Sequence, residues 1–189
     1  MDKELSEMTL EELWELFPVR LVRPDKGWKD RYQEMEDALR ILLSEIFICR
    51  ISHIGSTAID GIWAKNIVDV LIEFRSLEDM EKAAVIMEEN GFIIMSSERY
   101  RISLNRGYTK KGFEDKVYHI HLRIKGDNDE LYFRDLLNED RELAKEYEDL
   151  KIMLSKEFEY DRDAYTEAKG DLVRKMTSKA RKAFGERYR

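Results

Sequence analysis

A single cysteine, Cys49, stands in the 189 residues of the chain. No intramolecular disulfide framework is available, and a reducing cytoplasmic compartment is the expected one. Cys49 sits in the apolar run Ile46-Phe47-Ile48-Cys49 and reads as a small buried hydrophobe rather than a nucleophile. Proline is almost as scarce. Pro18 closes a short helix that Thr9-Leu10-Glu11-Glu12 opens as a capping box, and Pro24 halts the extended segment Val19 to Val22. There is no hydrophobic signal segment and no apolar run of membrane-spanning length, so a membrane is not an expected partner. Positive charge is also in deficit. With 33 Lys and Arg against 40 Asp and Glu, the net charge of −7 argues against a surface devoted to duplex nucleic acid, which binds through clustered cations and counterion release.

What is present belongs to one packed domain. Hydrophobic residues make up 43% of the chain and aromatics 11%, which excludes disordered, collagenous and low-complexity classes despite 39% charged residues. The charge is uneven: six carboxylates stand against Lys3 in residues 1–16, whereas residues 161–189 hold nine Lys or Arg and five Asp or Glu. Such a tail suits a phosphate-bearing ligand or a solvated helix. Single-stranded RNA is a poor match, because Tyr165, Phe184 and Tyr188 offer few stacking platforms.

Helical spacing of Trp28, Tyr32, Met35, Leu39, Leu42, Leu43 and Ile46 predicts a long amphipathic helix. Strands are predicted at Cys49 to Ile54, Ile67 to Phe74, Phe92 to Met95, Tyr100 to Asn105 and Lys116 to Ile124, with a helix over Leu77 to Glu89 between Ser76 and Asn90-Gly91. Residues 105–115 read as a Gly- and Lys-rich connection. After Gly126 the pattern is helical, with pieces near Asp129 to Leu137, Asp140 to Glu157 and Asp161 to Phe184. The class is α+β: a sheet to about residue 126, then a helical cap over 127–189.

Three strands share one alternation. Val68, Val70, Ile72 and Phe74 oppose Asp69, Leu71 and Glu73; Tyr118, Ile120, Leu122 and Ile124 oppose Val117, His119, His121 and Arg123; Ile102 and Leu104 oppose Arg101, Ser103 and Asn105. In register, these strands gather carboxylates, imidazoles and guanidiniums on one wall, unless that wall is merely the solvent face of a one-sided sheet. The turn His53-Ile54-Gly55-Ser56-Thr57 follows a strand directly. Gly55 allows close backbone approach to a phosphate, and the Ser56 and Thr57 hydroxyls supply donors. Asp69 adds a hard oxygen ligand for a divalent metal. Lys65 offers a point charge, and Arg101 and Arg123 carry forked donors for bidentate phosphate binding.

The stretch His53-Ile-Gly-Ser-Thr-Ala-Ile-Asp-Gly-Ile-Trp-Ala-Lys-Asn-Ile-Val-Asp69 resembles the hallmark of the GrpB family. Pro24-Asp25 with Trp28, His119-Ile-His121, Phe133-Arg134-Asp135, Tyr147 with Leu150-Lys151, and Tyr165 with Lys169 resemble the family as well. The likeness runs from about Leu21 to the C-terminal region and leaves residues 1–20 as an acidic helical extension before a GrpB-like domain, 21–189. The family is in turn similar to the nucleotidyltransferase superfamily typified by DNA polymerase beta. That resemblance implies a mixed sheet backed by helices, a helical cap over a cleft, phosphates on Gly55 and Ser56, and a metal on Asp69.

The resemblance departs at one point: the second carboxylate of the superfamily's Asp-x-Asp falls on Leu71, and His119 and His121 stand where a later acid belongs. The expected site is therefore Asp69, His119 and His121 for catalysis, with Asp69 and His121 as metal ligands and magnesium as the ion. Gly55, Ser56, Thr57, Lys65, Arg101, Arg123, Arg134, Lys151 and Lys169 are expected around a nucleotide or phosphorylated small molecule. Of these, Arg134, Lys151 and Lys169 rest on the resemblance alone. The rival expectation is a non-catalytic module for a nucleotide or coenzyme A-related ligand, the latter because the family also occurs fused to dephospho-CoA kinase.

Overall fold

The computed structural model describes residues 3–189; Met1 and Asp2, the first residues of the expected acidic extension, lie outside them. Helices α1 (Leu10–Leu16) and α2 (Gly27–Leu42) precede strand β1 (Ile48–Ile54). Then come β2 (Ile67–Phe74), α3 (Leu77–Glu89), β3 (Ile93–Glu98), β4 (Arg101–Thr109) and β5 (Gly112–Ile124). Four helices follow: α4 (Asp129–Glu139), α5 (Arg141–Glu157), α6 (Arg162–Ala168) and α7 (Gly170–Phe184). The sheet order is β1-β2-β5-β4-β3, with β2 and β5 parallel at its centre and every other pair antiparallel. This is the expected α+β class: a mixed sheet backed by helices, with a C-terminal helical cap.

Local chemistry sets the element ends. Thr9 and Glu12 form the capping box of α1, each side chain bonding the other's backbone N–H. Ser76 caps α3 by accepting from Asp79 N, and Gly91 at φ 87° ends it. On one face of the sheet, α2 and α3 bury Trp28, Met35, Leu39, Met80 and Met87 against Val68, Val70, Ile72, Phe74, Ile102, Leu104, Ile120 and Leu122. That is the apolar side of the alternation, and it makes the main core.

The other side is covered as well. Leu71 packs with Ile54 and Leu131 of α4, and Glu73 is fully buried. Glu73 Oε1 accepts from Gly126 N and Asn128 Nδ2, both at 2.9 Å, while Arg50 Nη1 lies 3.0 Å from Oε2 without hydrogen-bond alignment. Asn128 Nδ2 also donates to the Tyr188 carbonyl, and Tyr188 Oη to Asp135, so residues near 188 are tied to the sheet through α4.

Four expectations are corrected. The connection over 105–115 is mostly strand: β4 and β5 run on into a hairpin that turns at Lys110-Lys111. One helix over 161–184 is instead two, broken at Lys169-Gly170. Cys49 is half-buried in β1, not enclosed. The first long helix stops at Leu42, short of Ile46.

Because Glu73 holds the turn before α4 and balances Arg50, Glu73→Ala leaves the half-buried Arg50 guanidinium without its carboxylate and the Gly126 N–H without its acceptor, and takes one of the two acceptors of the Asn128 amide. A loss of about 3–5 kcal/mol in urea unfolding is expected, with Glu73→Gln milder; equal stability of Glu73→Ala and wild type would refute this role.

Candidate functional site

The parallel pairing of β2 with β5 sets Asp69 opposite His119 and Leu71 opposite His121, and the antiparallel pairing of β4 sets Asn105 opposite His119. Three strands thus deliver their polar positions to one wall. Beside it, β1 ends at Ile54 and Gly55 takes φ 70°. A Cβ there would fall 2.3 Å from Asp69 Oδ2, so only glycine lets the turn lie against that carboxylate. A 3-10 turn over Ser56–Ala58 follows. The Ser56 hydroxyl faces the cavity 3.3 Å from the Tyr147 hydroxyl of α5.

His119 Nδ1 lies 3.2 Å and His121 Nε2 3.3 Å from Asp69 Oδ1. Burial alone would raise the Asp69 pKa, but the two imidazole contacts outweigh it and hold the group well below the carboxylate range. Burial pushes His119 down despite that neighbour. The pair is thus an ionised carboxylate beside a neutral imidazole. Arg162 donates to Tyr108 Oη at 3.0 Å, and Tyr108 Oη lies 2.7 Å from His119 Nε2. A Tyr108 proton on Nε2 leaves Nδ1–H to face Asp69. Arg123 Nη2, always a donor, lies 3.3 Å from His121 Nδ1 and likewise directs Nε2–H at Asp69.

These groups line a cavity of about 740 Å³ together with Lys65, Lys151, Lys169 and Arg162. Among the described residues, none of the four cations pairs with a carboxylate. Their neighbours are rings, a phenol and a carbonyl: Lys151 donates to Trp63 O over the Tyr147 ring, Lys65 and Lys169 lie 5.8 and 4.6 Å from the Tyr165 ring, and Arg162 holds Tyr108. Burial pushes Lys65 and Lys151 down to about 7 and lowers Lys169, with the mutual repulsion of the cations adding to it.

Of the residues expected from the sequence, the cavity gathers Gly55, Ser56, Lys65, Asp69, His119, His121, Lys151 and Lys169. It does not gather the others. Thr57 is buried with its hydroxyl 3.0 Å from His53 Nε2, and His53 stacks on Tyr32 with its pKa pushed down to about 4 by burial. Arg101 is spent on a forked pair with Asp127. Arg123 is buried, its Nη1 donating to the Ile102 and Leu122 carbonyls. Arg134 donates to His53 O and to Asp135.

The residues that sequence reasoning missed are Tyr108 and Arg162, together with the apolar side of α1. Tyr108 lay in the supposed connection. The signal was Gly107, which sits at a β-bulge between Arg106 and Tyr108 and re-aims the next side chain at His119.

The sequence pattern of the GrpB protein family matches residues 18–179. The protein YqkA of Bacillus subtilis is 28% identical over 176 residues, covering 90% of this chain, which spans only 50% of that relative's length. The glutamate-rich protein GrpB of Alkalihalophilus pseudofirmus is 34% identical over 164 residues, covering 82% of this chain and 91% of that one. The crystal structure of conserved protein GrpB from Enterococcus faecalis superposes with a TM-score of 0.76 at 25% identity, over 88% of this chain and all of that chain. With its hallmark turn, its strand aspartate and the match over most of its length, the chain belongs to the GrpB family.

Proposed function

We propose that the chain binds a phosphorylated ligand, a nucleotide or a phosphorylated small molecule, with its phosphates against Gly55-Ser56 and among Lys65, Lys151, Lys169 and Arg162. One observation carries this reading. In an acidic protein, four cations of a single cavity stand without a carboxylate partner among the described residues, and burial disfavours the charge of three of them. Burying unpaired charge is costly, and an anion entering the cavity relieves that cost. Phosphate, with several acceptor oxygens, matches four donors better than a lone carboxylate does.

Asp69, His119 and His121 supply one carboxylate and two imidazoles with ligand atoms within 4.8 Å of one another. This set suits a zinc-like ion better than magnesium, which takes oxygen ligands. Such an ion would neutralise phosphate charge and polarise a phosphoryl oxygen. The chain's own part is orientation: with an ion on Nδ1, His119 would donate from Nε2 to the Tyr108 hydroxyl, as a metal-ligating imidazole does to its outer partner, whereas Arg123, which only donates, meets His121 Nδ1 as an acceptor and keeps the proton on Nε2, so Asp69 and His119 would be the principal ligands. Nucleotidyl transfer with this ion is the fuller form of the proposal. A binding module without catalysis is the second reading, favoured by Leu71, which is fully buried where the superfamily's second carboxylate would stand.

Three measurements test the reading. Inorganic pyrophosphate at a hundredfold excess over its dissociation constant should raise the melting temperature by roughly 5–10 °C, and the Lys151→Met, Lys169→Met double variant should lose most of that shift; an unchanged shift would remove the cations from the site. Anion binding should draw protons onto Lys65 and Lys151, whose free-state values near 7 rise beside an anion. Calorimetry in buffers of different ionisation enthalpy should therefore report proton uptake at pH 8, with affinity falling from pH 7 to 9; proton release would contradict the assignment. Zinc should stabilise the wild type more than magnesium does, and Asp69→Asn should abolish the difference.

A further inference from the structure

The wall that bears Asp69 does not stay polar. One row crosses four strands, from Asp69 on β2 through His119 on β5 and Asn105 on β4 to Ile93 on β3, each residue being the register partner of the next. All four line the same cavity. At about 4.8 Å per strand the row spans roughly 14 Å, from a carboxylate at one end to an aliphatic side chain at the other.

The same cavity is bordered by α1. Its residues Leu10, Leu13 and Trp14 recur at helical spacing on one side and line the cavity, while Glu11, Glu12 and Glu15 lie off that stripe. Met95, in the β3 bulge, faces the same space. Leu10 and Met95 are each 57% exposed and Ile93 40%, so these apolar groups border open cavity rather than packed core. The segment is anchored, since Phe17, just past the end of α1, packs on Tyr108 and Phe113 with ring centroids 4.7 and 5.0 Å apart. Residues 3–17 also lie outside the stretch that matches the family.

We propose that the ligand is a phosphate or diphosphate ester with an apolar organic body, its phosphates at the Gly55-Ser56 end and its body held between α1 and β3. The proposal rests on the phosphate reading above and narrows its substrate class. Of the residues that β3, α1 and the turn before it contribute to the cavity, Leu5, Leu10, Leu13, Phe17, Ile93 and Met95 have no hydrogen-bonding side chain, Trp14 has only an indole N–H, and Ser6 adds one hydroxyl. Hydrogen-bonding edges of a base or sugar would go largely unmatched there, whereas aliphatic or aromatic surface gains by leaving water.

The test is calorimetric titration of the full chain with inorganic pyrophosphate, geranyl diphosphate and ATP. Geranyl diphosphate should bind at least about thirtyfold tighter than pyrophosphate, from burial of a few methylene equivalents, and tighter than ATP. The Leu10→Ser, Trp14→Ser variant should keep pyrophosphate affinity within twofold and lose most of the geranyl advantage, and Met95→Thr should lose part of it. These positions lie outside the core clusters, so unchanged thermal melting serves as the folding control. Equal binding of pyrophosphate and geranyl diphosphate, tighter binding of ATP, or an advantage that survives both variants overturns the apolar-body proposal while leaving the phosphate site standing. No binding of any of the three overturns the phosphate reading itself, and this inference with it.

Discussion

The register of β5 between β2 and β4 is the constraint on which the rest of this molecule depends. A slip of one residue on either side would turn His119 and His121 into the core and carry Ile120 and Leu122 to the cleft. The apolar alternation that α2 and α3 bury therefore fixes the polar alternation of the opposite face. Folding energy and site geometry are here one requirement, because the hydrophobic effect that aligns Val70 with Ile120 also aligns Asp69 with His119.

The sheet was legible because it depends on period-2 patterns within single strands. The bounds of β2 and α3 follow directly from Ile67 to Phe74 and from Ser76 to Gly91. The convergence of Asp69 and His121 was legible too, since alternation in two strands needs only a shared core to bring their other faces together. What could not be read was the use of each charge. Arg101, Arg123 and Lys65 look alike in sequence, yet Arg101 meets Asp127, Arg123 meets carbonyls, and Lys65 lies over the Tyr165 ring. Those partners come from distant segments, and spacing carries no information about them. Tyr108 was hidden for a different reason: a single glycine at a bulge breaks the alternation on which strand reading relies.

The cavity combines two kinds of tension. Cations are held where burial disfavours their charge, and apolar groups of α1 and β3 border open space, both of which the core elsewhere must sustain. Marginal global stability limits how many such features a domain of this size can carry. Glu73 lies on the same sheet face four residues along β2 from Asp69, its Oε1 bonded to Gly126 N and Asn128 Nδ2 and its Oε2 facing Arg50.

The ties of Tyr188 to Asn128 and Asp135 have a consequence for how the protein is made. Ile54, Leu71 and Leu131 wait for the Tyr188 ring to complete their cluster, and Glu73 shares Asn128 with the Tyr188 carbonyl. A nascent chain can lay down the apolar core of α2, α3 and the sheet once residue 124 has emerged from the ribosome, but the second face stays open until residue 188 arrives. During synthesis the charged and aliphatic wall is thus exposed for the time taken to translate four helices, and the segment after the last helix, with Tyr188, acts as the bolt that ends this vulnerable interval.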